Sequence, residues 1–254
     1  MEPTDASPKL KNKFTIEFYD LHCSLRNGIT ILNGASGTLS SGSFTAIMGA
    51  SGAGKSTLMN VIAGHVGKTS GKILVNGVEC ASLRCVKAEV SFVPQEDIMH
   101  RELTVLQNLT FSAAIQLPRE TSERQRGRCV YDTLIKLHLE HVRHNTVGDE
   151  IRRGISGGQR KRLNIGLDLV SCRSILFLDE PTTGLDAVTA TEIAQILTTI
   201  SKESMMTITA VIHNPGVRAF SHFSDLILLQ AGGRVAFAGG MEDCEGYFAS
   251  LGFR

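Results

Sequence analysis

The first part of the chain alternates apolar and polar residues in the manner of strands that bury one face. The alternation is present in FTIEFYDLHCSL (residues 14–25) and in ITILNGASGTL (residues 29–39). A further signal, the pair Asn76-Gly77, lies between apolar residues in GKILVNGVEC (residues 71–80) and is typical of a two-residue hairpin turn. The pattern therefore predicts antiparallel β-structure for this part of the chain.

Other stretches are short and continuously apolar, as in strands that are buried on both faces. They are SFTAIMG (43–49), SILFLDE (174–180), TITAVIH (207–213) and DLILLQ (225–230). Apolar residues recur at helical spacing in KSTLMNVIAGH (55–65) and in AVTATEIAQILTTISKE (187–203). Buried strands that alternate with helices predict an α/β fold, in which helices cover a parallel sheet.

The chain is predicted to be a single domain made of consecutive parts. The first dozen residues are polar and contain proline, so we expect residues 1–13 to be flexible. Residues 14–97 hold the antiparallel β-structure and the first part of the α/β core, and residues 171–254 hold the second part. Residues 98–170 lack strand signals, so they are predicted to be a helical subdomain inserted into the core.

Composition narrows the choice of partners only slightly. The 26 basic and 25 acidic residues leave a net charge of +1, so we expect no nucleic-acid partner on charge alone. The six cysteines lack CxxC spacing, which indicates reduced thiols in a cytosolic chain. No apolar run approaches the roughly 18 to 20 residues that a membrane span requires, so we expect another segment or chain to supply any membrane role.

A phosphate-binding motif follows the first buried strand. The pattern G-x-x-x-x-G-K-[ST] is matched by GASGAGKS (49–56), and the predicted strand before it and helix after it are the context that this motif requires. We predict that Lys55 reaches the β- and γ-phosphates of a nucleotide and that the Ser56 hydroxyl binds Mg²⁺. The candidate nucleotide-binding residues here are Gly49, Ala50, Ser51, Gly52, Ala53, Gly54, Lys55, Ser56 and Thr57.

Polar residues at the ends of other buried strands are candidates for the chemistry. Asp179 and Glu180 end SILFLDE, and because neighbouring strand residues point to opposite sides, we expect different tasks for them. Asp179 is predicted to hold Mg²⁺ through its water shell, and Glu180 to act as general base on the attacking water. Gln95, which ends VSFVPQ, is predicted to reach both Mg²⁺ and this water, and His213, which ends TITAVIH, to donate to the γ-phosphate.

A second anion-binding element lies in RRGISGGQRKR (152–162). Ser156 is a good helix N-cap, Gly157 and Gly158 permit close backbone approach, and the helix continues from Gln159 with apolar residues at helical spacing. The first phosphate site already has its lysine, metal ligand and base. We therefore predict that residues 156–159 cap the nucleotide bound to another copy, so that two domains close head to tail around two ATP molecules.

Taken together, these motifs resemble the nucleotide-binding domain of ABC ATPases over nearly the whole chain. The resemblance rests on the P-loop, Gln95, ISGGQ, LFLDEP, TGLD and a terminal histidine, in that order. The stretches VPQEDIMHRELTV and RGISGGQRKR, and the Asn214-Pro215 pair after the histidine, resemble the G subfamily of eukaryotic transporters.

The resemblance implies that Asp186 of TGLD lies at the interface of a nucleotide-binding homodimer or heterodimer. It also implies that Gln95 and the helical insertion face a transmembrane domain, with this domain on the cytoplasmic side of the membrane. The transport that it implies is export of a lipid, sterol or xenobiotic, driven by MgATP.

Two questions stay open at the level of sequence. Many relatives stack an aromatic ring on adenine from a position near residues 24–27, where this chain has Ser-Leu-Arg-Asn. Tyr19 lies somewhat too early in the chain for this role. We therefore expect weak discrimination between nucleotide bases.

The second question is the class of protein. A soluble ABC ATPase of nucleic-acid maintenance or translation would share every catalytic residue, although the near-zero net charge disfavours it. A regulatory nucleotide sensor with little turnover is disfavoured by the intact Glu180 and His213.

Overall fold

The computed structural model describes residues 12–25, 27–149 and 154–253. Most of the segment predicted to be flexible, residues 1–11, therefore lies outside the described residues. The strands are β1 Ile16–Ser24, β2 Thr30–Leu39, β3 Phe44–Gly49, β4 Ser70–Val75, β5 Val78–Cys80, β6 Val90–Val93, β7 Ile175–Asp179, β8 Thr207–Val211, β9 Asp225–Gln230 and β10 Arg234–Gly240. The α-helices are α1 Lys55–Ala63, α2 Val105–Gln116, α3 Glu123–Lys136, α4 Gly157–Leu169, α5 Ala187–Ser204, α6 Val217–Phe220 and α7 Met241–Ser250.

The strands form two sheets. The larger sheet has the order β10-β9-β3-β8-β7-β6 and is parallel except for β10, which runs antiparallel to β9. The smaller sheet is antiparallel, with the order β2-β1-β4-β5. Asn76 and Gly77 join β4 to β5 with φ values of 50° and 79°, as a tight hairpin turn requires. The α/β fold class predicted from the sequence is confirmed, with its antiparallel β part and its parallel core.

The larger sheet is buried on both faces, which explains the continuous apolar runs of its strands. Successive residues of β7 point to opposite faces. Phe177 belongs to a core that the sheet shares with Leu58 of α1 and Phe18 of the smaller sheet. Its neighbour Leu176 belongs to a second core, which includes Leu163 of α4. The sheet is therefore held between α1 with the smaller sheet on one side and helices on the other.

Helices α2, α3 and α4 lie between β6 and β7 in the chain, where the sequence predicted mostly helical structure. Each begins with a capping box, in which a serine or threonine N-cap and a glutamine three residues later bond each other's backbone. The precise division of the chain at residues 98 and 170 stays a prediction. Within the described residues, none of the helices combines the length and apolar character needed to cross a bilayer.

The turn between β9 and β10 connects the two sheets through a close backbone contact. Gly233 accepts a hydrogen bond from the Asn33 N–H of β2, with an N···O distance of 2.9 Å. Its φ is 72°, and a Cβ added there would lie 1.8 Å from the carbonyl oxygen of Ile31. The neighbouring Gly232 has a φ of 85° but no atom within 4 Å of an added Cβ.

The adjacent glycines allow the close contact to be tested separately from backbone strain. Gly232→Ala is expected to lower the free energy of unfolding by about 1 kcal/mol, through the left-handed φ alone. Gly233→Ala is expected to lower it by about 3 kcal/mol or more, since the alanine methyl also forces β2 away from the turn. Urea unfolding of both variants measures the difference, and equal losses would contradict the proposed contact between the sheets.

Candidate active site

The glycine-rich loop between β3 and α1 packs against β9. A Cβ added at Gly49 would lie 2.1 Å from the carbonyl oxygen of Leu229, so no larger residue fits at the start of the loop. Beside the loop is a cavity of about 250 Å³. It is lined by Ile31, Ser51, Gly52, Gly54, Lys55, Ser56, Thr57 and His213. Six of the nine residues predicted for this motif therefore line the cavity, whereas Gly49, Ala50 and the buried Ala53 do not.

Lys55 lies folded back into its own loop. Its Nζ donates to the carbonyl oxygens of Gly49 at 3.1 Å and Ala50 at 2.9 Å, and the residue is only 5% exposed. Burial lowers the pKa of Lys55, while the carboxylates of Glu180 and Asp179 act in the opposite direction. The ammonium is thus a poorly solvated donor at the mouth of the cavity, and an anion is the partner that would satisfy it best.

Ser56 and Asp179 form a pair that suits a magnesium ion. The Ser56 hydroxyl donates to Asp179 Oδ1 at 3.1 Å, which brings a hydroxyl and a carboxylate from α1 and β7 together. Oxygen ligands of this kind, with water, are those that Mg²⁺ prefers. Burial raises the pKa of Asp179, although the Ser56 hydrogen bond opposes this shift. A cation between them would stabilise the charged carboxylate, so the residues fit the predicted metal.

Glu180 is held by three side chains. Its Oε2 accepts from Gln95 Nε2 at 3.0 Å and from Thr183 Oγ1 at 3.0 Å, and its Oε1 lies 2.9 Å from His213 Nε2. In this structure the amide nitrogen of Gln95 bonds Glu180. The role of Gln95 as a metal ligand stays a prediction. The predicted base, Gln95 and His213 thus lie together.

The separation of Asp179 and Glu180 has a different cause from the one predicted. Strand alternation was expected to direct the two carboxylates apart, but β7 ends at Asp179. Glu180 is the first residue beyond the strand and has a φ of 49°. Its N–H bonds the Val211 carbonyl of β8 at 3.1 Å, which holds this unusual conformation. The backbone turn, and not the pleat, therefore directs Glu180 toward Gln95 and His213.

The start of α4 borders the Gln95 and Thr183 side of the site through Gly157 but does not reach the P-loop cavity. Among the described residues, none of 156–159 lines the cavity beside the P-loop. Ser156 accepts from the Gln159 N–H at 3.2 Å, and its own N–H bonds Gln159 Oε1 at 2.9 Å, so the side chain of Gln159 is engaged in the cap. A Cβ added at Gly157 would meet no atom within 4 Å. The first turn of α4 is therefore open on one side.

Gly158 has a structural constraint that the sequence did not reveal. A Cβ added there would lie 2.4 Å from Cγ2 of Thr189 in α5. Thr189 is positioned by Asp186, the N-cap of α5, which accepts from the Thr189 N–H at 3.0 Å and from its hydroxyl at 2.8 Å. These hydrogen bonds lower the pKa of Asp186. Within this chain Gly158 allows α4 to pack against α5, and its predicted role in the approach of an anion stays a prediction.

Two residues near the site were missed by sequence analysis. Thr183 bonds Glu180 from three residues later in the chain, and this spacing was available as a signal. Lys161 lies in the basic run of residues 152–162 but is only 7% exposed. Lys161 lies three residues before the buried Asn164, so both residues project from the inner face of α4. This helical spacing is the signal that distinguishes Lys161 from its arginine neighbours.

The stretch of residues 24–27, where many relatives have a ring that stacks on adenine, contains no aromatic residue. Ser24 ends β1, Leu25 is exposed, and Arg26 lies outside the described residues. Tyr19 is exposed on β1, where its hydroxyl donates to Glu17 at 3.1 Å. Weak base discrimination stays a prediction.

The packing of Gly158 on Thr189 can be tested by adding a methyl group at residue 158 and then removing one at residue 189. Gly158→Ala is expected to lower the free energy of unfolding by about 1 to 3 kcal/mol, because the new methyl overlaps the Thr189 methyl. Thr189→Ser removes that methyl and keeps the hydroxyl that bonds Asp186, so the double variant is expected to recover most of the loss. Denaturant unfolding checks this, with Gly157→Ala as the control that meets no atom. Failure of Thr189→Ser to rescue would exclude the contact as the cause.

Comparisons with known proteins find similar families and a similar fold. A family model described as ABC transporter matches residues 32–183, and another described as ABC-2 type transporter matches residues 213–254. The solved structure of cbiO1 from Clostridium perfringens, described as part of the ABC transporter complex cbiONQ, has a TM-score of 0.78 to this chain. It is 25% identical, and the match covers 94% of each chain.

Two similar curated proteins are named as members of the ABC transporter G family. ABC transporter G family member 25 of Oryza sativa subsp. japonica is 40% identical over 88% of this chain, and member 28 of Arabidopsis thaliana is 40% identical over 93%. This chain spans 22% of the length of each of these two relatives. The chain belongs to the ABC transporter family, as an ATP-hydrolysing domain of the G-subfamily type.

Proposed function

We propose that this domain hydrolyses MgATP in a pair of nucleotide-binding domains that close head to tail around two nucleotides. The observation that carries the proposal is the division of the phosphate-binding groups. The cavity beside the P-loop is lined by residues such as Lys55 and Ser56, whereas the glycine-rich start of α4 lies outside this lining. The start of α4 then completes the site of the other copy.

The side chains around the cavity support hydrolysis by positioning and charge stabilisation. Lys55 exchanges its bonds to the loop carbonyls for bonds to the nucleotide phosphates. Glu180 acts as general base on a water, and its carboxylate is oriented by Gln95 and Thr183. His213, whose Nε2 lies 2.9 Å from Glu180 Oε1, would exchange this contact for one to the γ-phosphate. Ser56 and Asp179 would hold Mg²⁺, which would supply positive charge beside the phosphates.

The first turn of α4 has the groups needed to bind an anion from another copy. In any α-helix the first N–H groups have no intrahelical acceptor, and the Ser156 side chain satisfies only that of Gln159 here. The N–H groups of Gly157 and Gly158 and the Ser156 hydroxyl hydrogen are then donors toward a phosphate. Asp186, which lies beside this turn through Thr189, belongs to the same interface of the pair.

We also propose a membrane partner that contacts the helical insertion next to Gln95. Three large apolar side chains are exposed there: Ile98 is 57% exposed, and Phe111 and Ile115 of α2 are 52% and 67% exposed. Ile98 follows Gln95 by three residues, so a partner that contacts Ile98 would act next to the site. The match of residues 213–254 to an ABC-2 type transporter model supports the same partner.

The membrane function that follows is active transport. In this proposal the domain lies on the cytoplasmic face, pairs with an identical or a different nucleotide-binding domain, and drives export through a transmembrane domain. A lipid, sterol or xenobiotic is the class of substrate that the G-type resemblance implies. Closing and opening of the pair would alternate access across the membrane.

Two substitutions distinguish the two phosphate-binding elements. Lys55→Ala is expected to weaken MgATP binding to the monomer about tenfold to a hundredfold, since it removes one charge-assisted contact. Ser156→Arg is expected to leave monomer binding within about twofold and to lower turnover about a hundredfold, because it obstructs only the contact with the other copy. Calorimetric titration and steady-state ATPase assays give the two quantities.

Ser122→Arg is the matched control for Ser156→Arg. Ser122 caps α3 through the same capping box with a glutamine, so its loss has the same local cost of about 1 kcal/mol without reaching the proposed interface. Turnover of the control is expected to be normal. Equal weakening of monomer binding by Lys55→Ala and Ser156→Arg would mean that α4 serves the nucleotide of its own chain.

A further inference from the structure

Two side chains of α4 hold the chain segment that begins at Gln95. Lys161 Nζ donates to the main-chain carbonyl of Gln95 at 2.9 Å. One helical turn later, Asn164 accepts from the Ile98 N–H at 3.2 Å and donates to the Glu96 carbonyl at 3.5 Å. Lys161 and Asn164, which we call the α4 clamp, therefore bind the main chain of residues 95–98 from one face of one helix.

The clamp residues are buried to a degree that is unusual for their types. Asn164 is 0% exposed and Lys161 is 7% exposed. Burying an ammonium is costly unless it is paired, yet the carboxylate found near Lys161, that of Asp97, is 4.0 Å away. Burial lowers the pKa of Lys161, and nearby carboxylates, Asp97 first, act in the opposite direction. The hydrogen bond to the Gln95 carbonyl is the close contact that offsets this cost, and a neutral side chain of similar size would avoid the cost altogether.

The segment that the clamp holds borders open space. A cavity of about 300 Å³ lies between it and the start of α4, with Gln95, Gly157 and Thr183 among its lining residues. The Gln95 side chain therefore has room to move. The side-chain amide of Gln95 lies 3.0 Å from Glu180, and this distance depends on the position of the Gln95 main chain. Lys161 donates its hydrogen bond to the carbonyl of that main chain.

We propose that Lys161 is a positioning residue for ATP hydrolysis, which holds the Gln95 main chain so that the Gln95 side chain orients Glu180. Because Lys161 projects from α4, movement of that helix also moves residues 95–98. The coupling between movement of α4 and residues 95–98 rests on the proposed head-to-tail function, in which the start of α4 contacts the nucleotide of the other copy.

The test is a double-substitution cycle. Lys161→Met keeps much of the side-chain volume and removes the charge and the donor. In the native chain it is expected to lower kcat about tenfold or more and to leave the KM for ATP within about twofold, because Lys161 orients the site through Gln95 and touches no phosphate. In a Gln95→Ala background the same substitution is expected to have no further effect on kcat.

A second readout does not depend on turnover. Hydrogen exchange of the backbone amides of residues 95–98, measured without nucleotide, is expected to accelerate in Lys161→Met while exchange in β7 and β8 is unchanged. Lys161→Arg, which keeps a charge and a donor, is expected to retain more activity than Lys161→Met. Lys68→Met is the matched control, since Lys68 also donates to a main-chain carbonyl, that of Gly71, and is expected to leave kcat unchanged.

Two results would overturn the assignment. One is an equal loss of kcat in the native and Gln95→Ala backgrounds, which would mean that Lys161 acts independently of Gln95. The other is unchanged exchange at residues 95–98. If Lys161→Met does not fold, Lys161→Gln is carried through the same cycle. The exchange result tests the clamp without nucleotide, so its failure is separate from failure of head-to-tail closure, which Ser156→Arg tests.

Discussion

The parallel pairing of β6, β7 and β8 is the constraint on which the candidate site depends. Neighbouring strands lie about 4.8 Å apart, so residues just beyond their carboxyl ends are brought within reach of one another. Gln95, Glu180 and His213 follow these three strands and meet at one carboxylate. The sheet is buried on both faces, which makes this edge rigid. A hydrolytic base held by several donors needs such rigidity, because small displacements are costly in rate.

Helix α4 connects parts of the site that the sheet does not bring together. Its first turn is open at Gly157, its second glycine packs against Thr189, and its buried face holds residues 95–98. The same helix therefore contacts the elements that carry Asp186 and Gln95. A change at its first turn, such as contact with a nucleotide on another copy, would be transmitted to both. This arrangement gives a physical route from the start of α4 to the exposed Ile98.

Sequence reasoning succeeded where a short motif has strict backbone requirements. The glycine loop, the strand-end carboxylates and the hairpin at Asn76 were predicted because local spacing alone determines them. It did not reveal contacts that depend on tertiary packing: Lys161 was one cation in a basic run, and the packing of Gly158 against α5 was not predicted. The redirection of Glu180 depends on a bond to β8. Helix α7 was also missed, because it carries a glycine and buries no residue fully, so no apolar periodicity marks it.

The central claim, that the site is completed by another copy, is tested most directly by the oligomeric state of Glu180→Gln with MgATP. This substitution removes the base and keeps the shape, so the bound nucleotide is not consumed. Light scattering is expected to give twice the mass of a single chain with MgATP and a single chain without it, and adding Ser156→Arg is expected to abolish the dimer. A mass that stays at one chain with MgATP, or a dimer that forms equally well with Ser156→Arg, would contradict the account.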